Sequence, residues 1–180
     1  MILVVAATER ELDGTRGAET LVCGIGPVEA ALATARGIQE RRPTAILHVG
    51  IAGARTLDPP ALVLGSESIY CDVIDAKSVI PRVDRVAPDG ELLERARVAL
   101  PEAQVLPIAT SASVGGGTQC DVEAMEGFGV LRAAALARVP AVELRAISNR
   151  VDVADRSQWR FGEALAALAD ALPRALAALE

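Results

Sequence analysis

Residues 122–129 (VEAMEGFG) and the nearby residues 143–149 (ELRAISN) decide which fold this chain adopts. The first stretch predicts the start of an Ala-rich helix, with Met125 and Glu126 in its first turns. The second stretch is typical of a buried strand that ends in small polar residues. A carboxylate at a helix start and an amide at a strand end can converge on one ligand. Glu126 and Asn149 are therefore the first candidates for a binding site.

Outward from these two stretches, apolar runs of strand length alternate with helix-like stretches. The apolar runs cover residues 2–7, 20–23, 45–49, 61–64, 105–109 and 139–147. The helix-like stretches cover residues 27–40, 88–100, 121–138 and 156–179. Most of the apolar runs are continuous rather than alternating, which suits strands buried on both faces. The pattern predicts one α/β domain over residues 1–180, with a mostly parallel central sheet.

The composition narrows the class of protein. Of the 180 residues, 51% are hydrophobic but only 2% are aromatic, so the core must consist mainly of Ala, Val, Leu and Ile. A net charge of −6 without a basic cluster argues against a nucleic-acid partner. The apolar run 2–7 is too short for a signal-peptide core or a membrane span. The three cysteines form neither a disulfide frame nor a zinc pattern, so we expect a cytoplasmic protein with reduced thiols.

Two loops are the expected places for a site. Residues 52–60 and 110–120 are rich in Gly, Pro, Ser and Thr, and each follows a predicted strand. In open α/β sheets, ligands bind beyond the carboxyl ends of the strands. We therefore expect these loops to border the ligand.

Five motifs, in this order, resemble those of the nucleoside phosphorylase and nucleosidase superfamily. They are the Glu-rich turn at 8–11, Gly-Ile-Gly at 24–26, Gly-Ile-Ala-Gly at 50–53, Met-Glu-Gly at 125–127 and Arg-Ala-Ile-Ser-Asn at 145–149. The resemblance covers nearly the whole chain and implies a three-layer fold with a mixed central sheet flanked by helices. It also implies that Met125 packs on a ribose, that Glu126 accepts hydrogen bonds from the 2′ and 3′ hydroxyls, and that Asn149 binds the base. Val114 would offer a backbone contact to the base.

The Glu-rich turn favours hydrolysis over phosphorolysis. Matched residue by residue, Glu11 would activate the attacking water, with Glu9 as the nearby alternative. Taken alone, two acids at this spacing are also typical of a helix start. The chain lacks the Gly-Asp-Pro-x-Arg-like element with which phosphorylases bind phosphate. Water is therefore the expected nucleophile.

Asn149 bears on which base is bound. Adenine-specific nucleosidases carry Asp at the matching position, whereas an Asn amide can donate to O6 of a 6-oxopurine and accept from N7–H. Asn also pairs well with adenine. A methylthioadenosine or adenosylhomocysteine nucleosidase therefore remains an alternative.

Within the superfamily, the chain most resembles the futalosine hydrolases. The residues that carry this resemblance are MEGF at 125–128, ELRAISNRV at 143–151 and DRSQW at 155–159. It implies release of hypoxanthine from futalosine, in the futalosine route to menaquinone, with no metal or organic cofactor. It also implies a homo-oligomer, because family members often complete their pockets with a neighbouring subunit. Besides the adenine-specific nucleosidase, a purine nucleoside phosphorylase and a non-catalytic nucleoside-binding module remain alternatives.

Other polar and aromatic residues receive narrower interpretations. His48, inside an apolar strand, is expected to be a packed neutral imidazole rather than a base. Ile51 stands where many relatives have a hydroxyl residue, so it is not a catalytic candidate. Arg145 is expected to position neighbouring carboxylates. Trp159 and Phe161 would wall the pocket against the benzoate arm of the substrate, unless Trp159 instead anchors the C-terminal helix.

Overall fold

A computed structural model of the chain describes residues 1–15, 17–73, 81–115 and 118–180. The strands are β1 (Ile2–Ala6), β2 (Glu19–Val22), β3 (Ala45–Ala54), β4 (Leu62–Tyr70), β5 (Arg85–Val86), β6 (Gln104–Thr110), β7 (Val122–Ala124) and β8 (Ala141–Arg150). The α-helices are α1 (Pro27–Arg41), α2 (Gly90–Ala99), α3 (Gly127–Ala137) and α4 (Phe161–Leu179). Two short 3-10 turns cover Glu9–Leu12 and Arg156–Gln158.

Part of the sheet is a closed ring formed by β3, β8, β4, β6 and β7, and the other strands extend the sheet from this ring. β1 lies between β2 and β3 and is parallel to both, and β3 is also parallel to β8. β8 is antiparallel to β4, β4 is parallel to β6, and β6 is parallel to β7. β7 then returns to β3 in antiparallel orientation, while β5 adds antiparallel to the far end of β4. The predicted mixed, mostly parallel sheet is confirmed.

Helices cover the sheet on two sides, as expected for three layers. The residues of β1 alternate between the two apolar cores. Leu3 and Val5 pack in the core formed with α1 and α3, and Val4 and Ala6 pack in the core formed with α2 and α4. All four side chains are fully buried. A strand with both faces buried reads as a continuous apolar run, which is the pattern seen at residues 2–7.

The prediction of one helix over residues 121–138 was wrong at its start. Val122–Ala124 form the short strand β7, and α3 begins only at Gly127. Met125 and Glu126 therefore lie between a strand and a helix, not in the first helical turns. The cause is tertiary: β7 fills the gap between β3 and β6, and these pairings outweigh the helix preference of Glu and Ala.

Other observed helix and strand boundaries also differ from the predicted ones. The stretch 156–179 divides into a 3-10 turn and α4, with Trp159 between them. β3 and β4 continue well beyond the apolar runs that predicted them, because their polar and glycine-rich ends still find strand partners. The two-residue β5 had no recognisable signal. Within the described residues, no helix is long and apolar enough to cross a membrane.

Gly129 lies where α3 packs closely on α1. A Cβ at this position would sit 2.5 Å from the carbonyl oxygen of Pro27 and 3.1 Å from the amide nitrogen of Ala31. We expect Gly129→Ala to lower the free energy of unfolding by about 1–3 kcal/mol, because backbone on α1 must move to relieve the overlap. Urea denaturation measures the change.

Gly162 in α4 supplies the matched control. A Cβ there would meet nothing within 4 Å. Gly162→Ala should therefore raise the free energy of unfolding by about 0.4–1 kcal/mol, since it restricts the unfolded chain without a clash. Equal effects of the two substitutions would contradict the close α1–α3 packing.

Candidate active site

A cavity of about 350 Å³ lies at the carboxyl ends of the parallel strands β1, β3 and β8. This size is in the range of small-molecule sites. All five predicted site residues line it: Glu11, Val114, Met125, Glu126 and Asn149. Parts of both predicted loops border it as well, through residues 52–53 and 113–115. The structure thus brings together side chains that are far apart in sequence.

Glu11 is held by three hydrogen-bond donors. Its Oε2 accepts from the backbone N–H of Thr8 at 2.9 Å and from the Thr8 hydroxyl at 2.8 Å. Its Oε1 accepts from the backbone N–H of Ile51 at 3.0 Å. Glu11 is buried, whereas Glu9 on the same turn is exposed and lies outside the cavity lining. Of the two acids that the sequence left open, the structure places Glu11 at the cavity.

Glu126 lies between β7 and α3 and is held from two directions. Its Oε1 accepts from the backbone N–H of Gly26 at 3.2 Å, and its Oε2 lies 3.4 Å from Nη2 of Arg145. Gly26 has φ of 96°, a conformation that favours glycine. The Gly-Ile-Gly turn therefore supplies a donor to the site in addition to its role in the fold. Beside Glu126, the half-buried Met125 forms part of the cavity wall.

Arg145 is fully buried beneath this wall. Its Nε donates to Oε1 of Glu143 at 2.8 Å, and its Nη2 donates to Nε2 of His48 at 2.6 Å. Burial opposes the charge on Arg145, but the carboxylates of Glu143 and Glu126 outweigh burial and raise its pKa. Arg145 thus contacts carboxylates, as the sequence predicted, and it is not part of the cavity lining.

Glu143 is a residue that the sequence analysis missed. It is fully buried on β8, and its Oε2 accepts no hydrogen bond within the described part of the chain. Burial raises its pKa, and Arg145 opposes that shift. A signal was available: residues two apart on a strand face the same side, so Glu143 and Arg145 form a charge pair inside an apolar run.

His48 connects Arg145 to β1. Its Nδ1 lies 2.9 Å from the carbonyl oxygen of Val5, and its Nε2 faces Arg145. Because Arg145 can only donate, Nε2 is the acceptor and Nδ1 carries the proton. Burial and the charge of Arg145 lower the pKa of His48 well below its usual value. His48 is fully buried, so the predicted packing is confirmed, and its surroundings favour the predicted neutral imidazole.

Asn149 lies near the end of β8 with its amide at the cavity. Its Oδ1 lies 2.9 Å from the Ser148 hydroxyl, and its Nδ2 donates to the carbonyl oxygen of Arg150 at 3.1 Å. Gly53 on β3 is its neighbour, and a Cβ on Gly53 would lie 3.1 Å from Nδ2. Because Gly53 has no side chain, there is space beside it for the amide of Asn149.

The mouth of the cavity is apolar. Val114 is 52% exposed there, and Trp159 and Phe161 line another part of the wall with ring centroids 5.4 Å apart. The indole N–H of Trp159 donates to the carbonyl oxygen of Val153 at 2.9 Å. Trp159 therefore both borders the cavity and fixes the loop before α4. Among the described residues, no group of His, Cys, Asp or Glu is arranged to hold a metal ion.

Comparisons with known proteins agree with this fold and with this site. The fold contains a sheet closed through β3, β8, β4, β6 and β7, and the cavity lies at the ends of its strands. The sequence matches the phosphorylase superfamily over residues 18–117. The chain belongs to this superfamily. A futalosine hydrolase of Streptomyces coelicolor is 34% identical over an alignment of 193 residues, which covers 91% of this chain and 80% of that protein. A futalosine hydrolase of Thermus thermophilus is 48% identical over 56 residues, which cover 31% of this chain and 25% of that protein.

Solved structures with the same fold include enzymes of two kinds. A futalosine hydrolase mutant of Helicobacter pylori superimposes with a TM-score of 0.85 at 18% identity, over 99% of this chain and 97% of that chain. The 5′-methylthioadenosine/S-adenosylhomocysteine nucleosidase of Neisseria meningitidis, in complex with methylthio-immucillin-A, gives a TM-score of 0.81 at 22% identity, over 99% and 97% of the two chains. At these identities the superpositions establish the fold alone.

The neutral His48 makes stability depend on pH. Its pKa in the folded protein lies well below the 6.5 of a free imidazole, so below about pH 6.5 the unfolded chain takes up a proton that the folded protein does not. His48→Gln keeps an acceptor for Arg145 but cannot titrate. As pH falls from 7 to 5, we expect the free energy of unfolding of the wild type to fall more steeply than that of the variant. The difference in slope reaches at most about 1.4 kcal/mol per pH unit.

Urea denaturation of both proteins at each pH measures the two slopes. Glu143, whose raised pKa acts in the opposite direction, is retained in both and therefore cancels to first order. Parallel curves over this range would show that His48 is protonated in the folded protein.

Proposed function

We propose that this protein hydrolyses the N-glycosidic bond of futalosine, releasing hypoxanthine and dehypoxanthine futalosine in menaquinone biosynthesis. One observation carries the proposal. Glu11, Glu126 and Asn149 come from three separate parts of the chain and line one cavity, in a chain that is 34% identical to a futalosine hydrolase over most of its length. The enzyme class is thus a hydrolase that acts on N-glycosyl bonds, and the substrate is a small-molecule nucleoside.

Glu11 is proposed to activate the water that attacks the anomeric carbon. A positioned carboxylate can take a proton from water as the new bond forms. The three hydrogen bonds to Glu11 support this role, because they hold its carboxylate in one orientation at the cavity. The cavity is lined by the acids Glu11, Glu123 and Glu126 and by one basic residue, Arg10, so its lining carries a net negative charge that repels an anion such as phosphate. This charge distribution supports hydrolysis over phosphorolysis.

Glu126 is proposed to hold the ribose through its 2′ and 3′ hydroxyls, with Met125 packed on the sugar. Its longer contact of 3.4 Å to Arg145 leaves acceptor capacity on the carboxylate, because Glu143 provides the closer pairing at 2.8 Å. Its negative charge also stabilises the positive charge that develops on the sugar as the glycosidic bond breaks.

Asn149 is proposed to bind the base, with Val114 offering a backbone contact. The amide can donate to O6 and accept from N7–H as the leaving hypoxanthine gains a proton. Trp159 and Phe161, which also line the cavity, are proposed to pack on the benzoate arm. We also propose that the protein is a cytoplasmic homo-oligomer, in which a neighbouring subunit completes the pocket.

Base release distinguishes this proposal from its alternatives. We expect the protein to release hypoxanthine from futalosine at the same rate with and without phosphate, as measured by chromatography. Inosine and methylthioadenosine, incubated under the same conditions, are the comparison substrates. Adenine from methylthioadenosine would instead support an adenine-specific nucleosidase, and base release that requires phosphate would support a phosphorylase.

Glu11→Gln tests the catalytic assignment. We expect kcat for futalosine to fall about 100- to 10,000-fold, because an amide cannot accept the proton from water. KM should change little, since Glu126 and Asn149 still bind the substrate. Glu9→Gln is the matched control on the same turn and should keep wild-type kcat. Loss of kcat in Glu9→Gln but not in Glu11→Gln would reverse the assignment.

A further inference from the structure

Glu123 is an acidic residue of the cavity that the sequence analysis did not select. It lies on β7, where it pairs with Gly53 of β3. On the other side of β3, a register shift between Ala52 and Gly53 brings Asn149 opposite the same glycine. Glu123 and Asn149 therefore flank Gly53 on the two neighbouring strands, with Cα atoms roughly 10 Å apart at the usual strand spacing. Both residues line the cavity.

Among the described residues, hydrogen-bond donors contact only one of the two carboxylate oxygens of Glu123. Oε1 accepts from the Thr118 hydroxyl at 2.7 Å and from Nη2 of Arg55 at 2.5 Å. Oε2 accepts no hydrogen bond from residues 1–15, 17–73, 81–115 or 118–180, and it is not among the fully buried atoms without a partner. One oxygen is thus held by Thr118 and Arg55, and the other has no hydrogen-bond partner among the described residues.

We propose, building on the proposed function, that Glu123 selects a 6-oxopurine by accepting a hydrogen bond from its N1–H. An ionised carboxylate is an acceptor only. Hypoxanthine carries a hydrogen on N1, whereas N1 of adenine carries a lone pair. The same oxygen therefore attracts one base and repels the other. Asn149 alone does not give this selectivity, because an amide can turn to suit either base.

The proposed contacts follow from the chemistry of the base and from the strand pairing. In a 6-oxopurine, N1 lies beside O6, next to the N7 and O6 edge that Asn149 is proposed to bind. Glu123 would approach N1 from the strand on the other side of Gly53, which has no side chain to separate the two residues. Arg55, which is not among the residues that line the cavity, forms a salt bridge with Oε1 of Glu123 and so compensates its charge.

Glu123 also has a structural role that the test must separate from base selection. Arg55 donates to the carbonyl oxygens of Thr118 at 2.6 Å and Cys120 at 3.0 Å, and so holds the loop before β7 against the end of β3. Thr118→Val removes a donor to Oε1 but leaves Oε2 and Arg55 in place. It is therefore the matched control for a loss of loop structure.

The experiment compares kcat/KM for futalosine and for its 6-amino counterpart. We expect wild type to prefer futalosine, and Glu123→Gln to shift the ratio toward the 6-amino substrate by about tenfold or more, because an amide can donate to N1 of adenine. Thr118→Val should keep the wild-type ratio. An unchanged ratio in Glu123→Gln, or an equal shift in Thr118→Val, would overturn the proposal.

A substrate analogue tests the same contact in the unaltered protein. In 1-deazafutalosine a C–H group replaces N1–H without added bulk, and the displaced proton is carried by N3 or by O6. The change at O6 affects every variant, whereas the loss at N1 affects only a protein that contacts N1. We therefore expect wild type to lose about tenfold or more in kcat/KM on this analogue beyond the loss seen in Glu123→Met. If wild type processes both substrates equally, Glu123 does not contact N1, even if the variants fail to fold.

Binding of the free bases separates this proposal from the proposed function. Calorimetry on wild type should show tighter binding of hypoxanthine than of adenine, with the difference lost in Glu123→Gln. If wild type releases no base from futalosine, the proposed function fails, but this binding difference still supports selection by Glu123. If futalosine is hydrolysed and the binding difference persists in Glu123→Gln, the selection proposal alone fails.

Discussion

The buried charge of Arg145 constrains the rest of the site. A guanidinium without exposed surface is strongly unfavourable unless its charge is paired and its N–H groups are bonded. Its partners come from different elements: Glu143 from β8 itself, His48 from β3, and Glu126 from the junction of β7 and α3. Pairing the charge and the N–H groups of Arg145 therefore fixes these elements relative to one another. Glu126 takes its place at the cavity partly because it is a counterion of Arg145.

Small residues in the motifs make room for this ion-pair network. A Cβ on Gly50 would overlap the guanidinium of Arg145, and a Cβ on Gly127 would overlap the carboxylate of Glu143. Small residues such as those at 50–53 can let the backbone approach a ligand closely. For Gly53, next to Asn149 at the cavity, that explanation agrees with the structure. For Gly50 and Gly127, the space is taken by buried charged side chains of the protein itself.

Most of the sheet was predictable because strands buried on both faces need continuous apolar runs, and a core poor in aromatic residues left those runs easy to see. The site was partly predictable for another reason: Glu11, Glu126 and Asn149 stand in short motifs whose order resembles a known superfamily. Glu143 and Glu123 were missed because no motif marks them. Glu143 is read as part of an apolar strand, and Glu123 as part of a helix, until the pairing of β7 with β3 and β6 is known.

By itself, the sequence determined the α/β class, the places of the main strands and helices, and the residue types that can bind a nucleoside. The class and the elements follow from local patterns of apolar and polar residues, whereas the nucleoside-binding residues follow from the resemblance of short motifs to a superfamily. Only the tertiary structure decided that Glu11 rather than Glu9 reaches the cavity, that Arg145 is compensated by Glu143, and that Glu123 and Asn149 flank Gly53. The physical reason is that these relations depend on strand register and on burial, which arise from contacts between residues far apart in the chain.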